Sequence, residues 1–205
     1  MTREEFLSKY WKYYLLLEEQ FLNTNNYVDL NTDNFSTYSL QFVNSILLTG
    51  AELDTIMKLY CNFILSDRKD ISNYANHILT NDSGIINQEI IVFNGGNLII
   101  KPFDGWQTVR SSETLKGWKE YNVIKHNRNE NFKLATLENA LNLLGCLYIL
   151  EIKYLKQISG NNGIDIPDIS SKLFQMKNWQ YNYCKLEDYY AKLDGDSVIL
   201  DGGSI

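Results

Sequence analysis

One stretch of this sequence constrains the fold more than any other, an apolar pattern that runs from Phe132 to Leu155. Its apolar residues recur three or four positions apart, which is the spacing of one helix face. The flanks are filled as well; the apolar positions are Phe132, Leu137, Ala140, Leu141, Leu143, Leu144, Leu147, Tyr148, Ile149, Ile152 and Leu155. A helix that is apolar nearly all round must lie inside a bundle or pack against a partner subunit. The pattern therefore predicts a central helix and favours a homodimer.

Helix start signals predict further helices around this one. Thr2 and Glu5 form a capping box, and an aromatic stripe follows it at helical spacing as far as Phe21. A second helix is predicted over about 36–48, and Thr49 with Glu52 forms another capping box that predicts a third.

Three more helices are predicted downstream. Asp70 is placed to cap a helix that runs to Leu79, and Ser112 to cap one that leads towards Arg128. A short helix is expected over about 168–176. The helical segments account for most of the chain.

Two segments have strand patterns instead. Residues 89–101 are two β-branched runs around Asn94-Gly-Gly-Asn97, which predicts a β-hairpin. The tail over about 178–205 reads as strands joined by a turn at 194–196. The predicted fold class is mainly α: a bundle of about five or six helices with an inserted β-hairpin and a small strand-containing C-terminal tail, in one domain over 1–205.

Composition restricts the partners and the compartment. The formal net charge is −6, whereas proteins that bind nucleic acid over a large face are usually basic, so any such contact must be local. Cys61, Cys146 and Cys184 form no CxxC motif and read as free thiols of a reducing compartment. The N-terminus resembles no secretory signal, and the apolar run over 140–150 is too short to span a bilayer. We expect a cytoplasmic protein with no membrane contact.

No cofactor or metal ion is predicted. Glu18, Glu52 and Asp54 could be metal ligands, but they lack the histidine partners that such sites usually use. Glu52 and Asp54 fall in the first turn of a predicted helix, where the helix dipole favours acidic residues, so no metal ion is needed to explain them. The aspartates around 194–201 lack the closing glutamate of a calcium loop. The glycines of the 89–101 hairpin have no phosphate-loop spacing.

One polar cluster precedes the central helix and is the candidate functional site. Tyr121, Asn122, Lys125, His126 and Arg128 lie close together in the sequence. If one helix continues to Arg128, Asn122 and His126 share a face and the other three share the adjacent one. Lys116, Lys119 and Lys133 flank the cluster, so an acidic chain carries a local basic patch here.

These residue types suit chemistry on RNA. Histidine has an unperturbed pKa near neutrality, so His126 could carry a proton to or from a 2′-hydroxyl or a leaving oxygen. Lys125 and Arg128 would contact the phosphate, Asn122 would orient the imidazole, and Tyr121 would stack on or hydrogen-bond a nucleotide. The cluster could equally be structural, with its side chains bonded to a turn and to neighbouring acids.

The string Tyr121-Asn122-x-x-Lys125-His126-x-Arg128, followed by a long apolar helix, resembles the HEPN superfamily of helical bacterial proteins. The resemblance implies a helical, commonly dimeric bundle, and many members are metal-independent ribonucleases of toxin–antitoxin or phage-defence systems. Their usual signature has Arg a few residues before His. The order here is His126-x-Arg128, and the nearest upstream arginine is Arg110.

Two functions follow as expectations. The first is an HEPN-like protein of a bacterial defence or stress system, a metal-independent ribonuclease that contacts RNA through the local basic patch. It would form a homodimer and could bind a protein partner or an antitoxin. The second is a non-catalytic helical module for protein–protein interaction, in which the polar cluster holds the fold together.

Overall fold

The computed structural model describes residues 1–96, 98–187, 189–194 and 197–200, and it is mainly helical, as predicted. The helices are α1 (Arg3–Phe6), α2 (Lys12–Leu22), α3 (Leu40–Tyr60), α4 (Ile71–Asn81), α5 (Ser111–Thr114), α6 (Trp118–His126), α7 (Arg128–Asn131) and α8 (Leu137–Ser159). A π-helical turn, Leu7–Trp11, joins α1 to α2. Short 3₁₀ turns lie at Asn23–Asn26, Thr32–Asn34, Ser83–Asn87 and Phe132–Leu134.

The central helix α8 is buried inside the chain. Its buried residues come from every side of the helix, among them Leu141, Leu144, Tyr148 and Ile152. Thr136 caps its first turn by accepting from the backbone N–H of Asn139 at 3.2 Å. Neighbouring segments of the same chain therefore satisfy the all-round apolar pattern, which no longer requires a partner subunit.

Helices α3 and α8 start side by side. A β-bridge joins Tyr38 to Thr136, and the backbone N–H of Leu137 donates to the carbonyl of Thr37 at 2.9 Å. Glu52 and Glu151, each in the later half of its helix, still interact electrostatically. The two helices therefore run parallel, and the core lies between them.

Several predicted helix starts are confirmed. Thr2 and Glu5 form their capping box, and Asp70 caps α4 through the backbone N–H groups of Ser72 and Asn73. The predicted break before Thr49 is wrong, because α3 is continuous from Leu40 to Tyr60. A capping box acts only where the backbone leaves the helix, and nothing breaks the helix there.

The strands form two antiparallel sheets. The predicted hairpin is confirmed as β1 (Ile90–Val92) and β2 (Leu98–Ile100), with Ile90 opposite Ile100. The helix predicted over 168–176 is wrong, since β3 (Phe174–Met176) adds to β1 in that segment. The tail strands are β4 (Tyr183–Leu186), β5 (Tyr189–Asp194) and β6 (Ser197–Leu200), in the order β4-β5-β6. The turn predicted at 194–196 lies mostly outside the described residues.

Buried apolar residues from α1 to β3 form one cluster, which extends from Phe6 to Met176. Within the described part of the chain, no helix combines the length and the apolar character that crossing a membrane would require.

Candidate functional site

Helix α6 carries most of the predicted site, and it packs on α3 at a glycine. A Cβ atom at Gly50 would lie 2.3 Å from Cδ2 of Tyr121, closer than any real contact. The Tyr121 ring is therefore seated directly on the α3 backbone and is only 4% exposed. Trp118, one turn earlier, packs beside it with ring centroids 5.3 Å apart. This contact fixes which side chains of α6 face outward.

The burial of Tyr121 corrects its predicted role. A ring held between α3 and Trp118 has no free face on which a base could stack. Its hydroxyl remains accessible to one neighbour, because Nζ of Lys125 donates to it at 3.2 Å. The same ammonium lies 5.3 Å from the Tyr121 ring centroid. Tyr121 therefore positions Lys125.

Asn122 also differs from its predicted role. Its side-chain amide donates to the backbone carbonyl of Trp118 at 3.0 Å, within its own helix. His126, one turn further on, is exposed and has no hydrogen bond, ion pair or ring contact with any described residue. The structure thus gives the imidazole no orienting partner in Asn122.

Arg128 does not share a helix with His126. Helix α6 ends at His126, because Asn127 leaves the helical region with φ −148° and ψ 74°, and Arg128 opens α7. Arg128 is exposed and forms no ion pair with a described residue. The condition that one helix continues to Arg128 is not met, so Arg128 does not share a face with Tyr121 and Lys125. The shared face of Asn122 and His126 is confirmed, since both lie within α6.

Three of the five predicted residues line one cleft, which we call the α3–α6 cleft. It has a volume of about 690 Å³ and lies between α3, the connection from α3 to α4, and α6. Its walls are Ala51, Asp54, Lys58, Ser66, Asp67, Arg68, Lys69, Asp70, Ile71, Ser112, Trp118, Tyr121, Asn122 and Lys125. The structure therefore brings Tyr121, Asn122 and Lys125 together with charged residues from elsewhere, and leaves His126 and Arg128 outside the walls.

The carboxylates of the α3–α6 cleft all have partners. Asp54 accepts a hydrogen bond from the Tyr74 hydroxyl at 2.8 Å and pairs with Lys58 at 3.1 Å. Asp67 pairs with Lys69 at 3.6 Å. Asp70 accepts from the Ser72 hydroxyl and from the backbone N–H groups of Asn73 and Ser72, and these bonds hold its carboxyl pKa below the usual value. Asp54 and Asp67 are each paired with a lysine, and Asp70 is engaged by neutral N–H and O–H donors at the start of α4.

Two cations of the α3–α6 cleft, Arg68 and Lys125, form no ion pair with any carboxylate in the described residues. Arg68 is exposed on the connection from α3 to α4, and Lys125 lies across the cleft on α6. The walls hold four cations against three carboxylates, on a chain whose net charge is −6. The cleft therefore offers two unneutralised cationic groups that face one concave space, an arrangement suited to an anion.

Sequence reasoning missed the far wall of the cleft. Arg68 and Lys69 belong to Asp67-Arg-Lys-Asp70, four consecutive charged residues between two helices. This run of charge is the signal by which the sequence indicates a polar surface, but the sequence alone does not show which helix the run faces. The sequence suggests a place for Asp54 in the first turn of a helix. In the structure Asp54 lies in the later half of α3 and pairs with Lys58.

A larger concavity lies elsewhere, with a volume of about 860 Å³ near the hairpin turn. Neutral polar residues such as Asn25, Asn31 and Asn94 form much of its wall, with Asp29 and Lys172 as its charged residues. Its lining contains no pair of free cations, so the smaller α3–α6 cleft is the better candidate for binding an anion. Among the residues described, no group of three or more His, Cys, Asp or Glu side chains is arranged to hold a metal ion.

No protein-family model matches this sequence, and neither a curated protein nor a solved structure is significantly similar to it.

Proposed function

We propose that the α3–α6 cleft binds the phosphate backbone of RNA, as expected of an HEPN-like protein of a bacterial defence or stress system. The observation that carries the proposal is the placement of Arg68 and Lys125. They face one cleft from two separate elements, and neither is paired with a carboxylate among the described residues. Two neighbouring phosphodiesters would neutralise both, and guanidinium and ammonium groups are the usual protein partners of phosphate.

The rest of the chain limits the length of the contact. A net charge of −6 repels a polyanion beyond the cleft, so only a short segment of RNA is held. With two phosphates neutralised, the logarithm of the association constant should fall with the logarithm of salt concentration at a slope of about −1.4 for a single strand. A broad basic surface would give a much steeper slope. The buried ring of Tyr121 adds no base stacking, so binding should depend little on sequence.

His126 is the group that would turn binding into cleavage. It lies one helical turn beyond Asn122, which lines the cleft, on the same face of α6. A strand that leaves the cleft past the end of α6 would present a 2′-hydroxyl to it. In this proposal His126 takes the proton of the 2′-hydroxyl, and that oxygen attacks the adjacent phosphorus to form a 2′,3′-cyclic phosphate. The P–O5′ bond breaks, and the leaving 5′-oxygen takes a proton from water. Lys125 and Arg128 would stabilise the charge on the phosphate.

The second candidate is a non-catalytic helical module, and one observation favours it. His126 has no orienting partner among the described residues, and Arg128 belongs to the next helix. A general base is usually held by a second group. In this alternative a protein partner or an antitoxin engages the same surface. A homodimer remains a prediction of the HEPN resemblance.

Binding is tested first, with a fluorescein-labelled single-stranded RNA and fluorescence anisotropy. We expect Lys125→Gln and Arg68→Gln each to weaken binding about three- to tenfold and to flatten the salt dependence. Lys119→Gln is the matched control, because Lys119 is an exposed lysine of the same helix that does not line the cleft. If all three variants bind like the wild type, or all weaken equally, the cleft is not the RNA site.

Cleavage is tested separately with total RNA and tRNA at equal folded concentrations. A ribonuclease loses cleavage in His126→Ala while its RNA affinity stays close to that of the wild type. Absence of cleavage by the wild type, with cleft-dependent binding intact, selects the non-catalytic module.

A further inference from the structure

Helix α8 carries a glutamate at a fully buried position. Glu151 is fully buried, and neither of its carboxylate oxygens has a hydrogen-bond partner in the described structure. Buried polar groups in proteins are almost always hydrogen-bonded, and a buried unpaired carboxylate is very costly. The position therefore has to be occupied by a neutral carboxylic acid.

A second glutamate lies beside it. Burial raises the pKa of Glu52, on α3, to about 7. Burial also raises the pKa of Glu151 well above its usual value, and the charge of Glu52 raises it further. Within the described residues no lysine, arginine or histidine forms an ion pair with either glutamate. We call Glu52 and Glu151 the carboxyl pair.

The third element at this place is the π-helical turn Leu7–Trp11. Its Tyr10 has a raised pKa, caused by burial and then by the charges of Glu52 and Glu151. Tyr154, three residues after Glu151 on α8, has a pKa raised by burial and by Tyr10. The ring of Phe6 connects the two tyrosines, with centroids 6.0 Å from Tyr10 and 5.4 Å from Tyr154.

The carboxyl pair therefore sits where α3, α8 and the π-helical turn meet. The hydroxyl of Thr49, one turn before Glu52 on α3, is also buried without a described partner. The polar groups here are carboxyls and hydroxyls, and no described lysine, arginine or histidine forms an ion pair with either carboxyl. π-helical turns are rare, and they frequently mark functional positions within α-helices. Such a contact is stable only while at least one of the two carboxyls is protonated.

We propose that the carboxyl pair is a proton-dependent contact: α1 and the π-helical turn stay packed on α3 and α8 while Glu151 is neutral, and they separate when both carboxyls are ionised. The separation occurs on the side of the π-helical turn because the other side is strongly held. Helices α3 and α8 share a broad apolar core that includes Ile56 and Leu144. Helix α1 and the π-helical turn contribute only two buried side chains to that core, Phe6 and Trp11, and are held at the surface by the ion pair of Arg3 with Asp168.

The direction of the pH effect follows from linkage. Both carboxyls bind protons more tightly in the folded chain than in the unfolded chain. The stability they confer is complete below their unfolded pKa near 4.5 and is lost as pH rises through the folded pKa values. The contribution of Glu52 is lost by about pH 7, and that of Glu151 is lost as pH rises through its own raised pKa. Each group raises the unfolding equilibrium constant by up to about tenfold per pH unit.

The test compares the wild type with Glu151→Gln, a neutral amide of similar shape, by urea unfolding between pH 5 and 9. The unfolding equilibrium constant of the wild type should rise with pH across this range. In Glu151→Gln the factor by which this constant rises per pH unit should be about tenfold smaller. Glu19→Gln is the control, because Glu19 is an exposed glutamate of α2 and should keep the wild-type slope. Hydrogen exchange, corrected for the intrinsic rate, should show protection lost first over residues 3–16.

The proposal is wrong if the wild type is equally stable at pH 5 and 9, or if Glu151→Gln retains the full slope. It is also wrong if protection is lost first in α3 or α8. Should Glu151→Gln fail to fold, Glu151→Met takes its place, since an apolar side chain of similar length also removes the charge. If neither variant folds, the carboxyl has a positive structural role and the neutral-acid proposal fails.

Discussion

Glu18 and Glu151 are both buried glutamates, but they differ in their hydrogen bonds. The carboxylate of Glu18 accepts from the Tyr14 hydroxyl at 2.7 Å, from the Ser171 hydroxyl, and from the backbone N–H groups of Lys172 and Leu173 at 2.9 and 3.2 Å. Glu151 accepts none. A charged carboxylate is stable in the core when its oxygens are saturated by donors. Glu18 therefore joins α2 to the segment that leads into β3.

We expect Glu18→Ala to lower the free energy of unfolding by about 3 kcal/mol, because it leaves several buried donors unsatisfied. Urea unfolding at pH 7 measures this. Glu19→Ala is the control, since Glu19 is the exposed neighbour and should change stability by less than about 0.5 kcal/mol. Similar losses in both variants would mean that the contacts of Glu18 contribute nothing specific.

At the scale of elements, the α3–α6 contact depends on Gly50. Glycine is unfavourable in the middle of a helix by about 1 kcal/mol relative to alanine, so its presence there needs a reason. The reason is the ring of Tyr121, which occupies the space of a Cβ atom. The same contact sets the position of Lys125 and so the width of the cleft.

Gly50→Ala should therefore destabilise the chain by about 1–3 kcal/mol despite the better helix propensity, because the overpacked ring must move. The near-ultraviolet circular dichroism of Trp118 and Tyr121 should change with it, and RNA affinity should fall. Gly84→Ala is the control, since a Cβ there meets nothing closer than 4.0 Å. A Gly50→Ala variant more stable than the wild type would contradict the close contact.

The elements that the sequence predicts well are those with local signals. The capping boxes at Thr2 and the cap at Asp70 bond only to their own first turns, and the hairpin 89–101 is closed by its own turn. Strand β3 could not be predicted in this way, because it exists through its pairing with β1, far away in the sequence. Its own residues, Phe174–Met176, are too few to show a period.

The candidate site divides in the same way. Helical spacing placed Asn122 and His126 on one face, and this is confirmed. The burial of Tyr121 could not be predicted, since it follows from a glycine on another helix. Arg68 joins the site only because the connection after α3 folds back towards α6. Tertiary contacts of this kind leave no periodic trace in the sequence.

At the scale of the whole molecule, the first helix is tied to the last strands. The guanidinium of Arg3 donates to the carbonyl of Ile166 at 2.7 Å and to Asp168 at 2.6 Å, and it lies 5.4 Å from the ring centroid of Tyr190 in β5. Tyr190 also donates to Asp168 at 2.5 Å. The tail sheet is thus anchored to α1 as well as to the segment after α8.

Arg3→Gln should release this anchor and lower the free energy of unfolding by about 1 kcal/mol, a small value because Asp168 is half exposed. Limited proteolysis should show faster cleavage within residues 160–194. Lys9→Gln is the control, because the pair of Lys9 with Glu5 is exposed on both sides at 3.9 Å. Equal cleavage rates in the two variants would mean that the tail is held without Arg3.

The side-by-side start of α3 and α8 has a consequence for synthesis on the ribosome. The residues of their bridge, Tyr38 and Thr136, are about a hundred positions apart in the chain. At about 5–20 residues per second, the apolar face of α3 waits roughly 5–20 s for the helix that covers it. During that interval the nascent chain exposes Phe42, Ile46 and Leu53, which are fully buried in the finished fold. Chaperone capture, or aggregation in its absence, should therefore concentrate on α3.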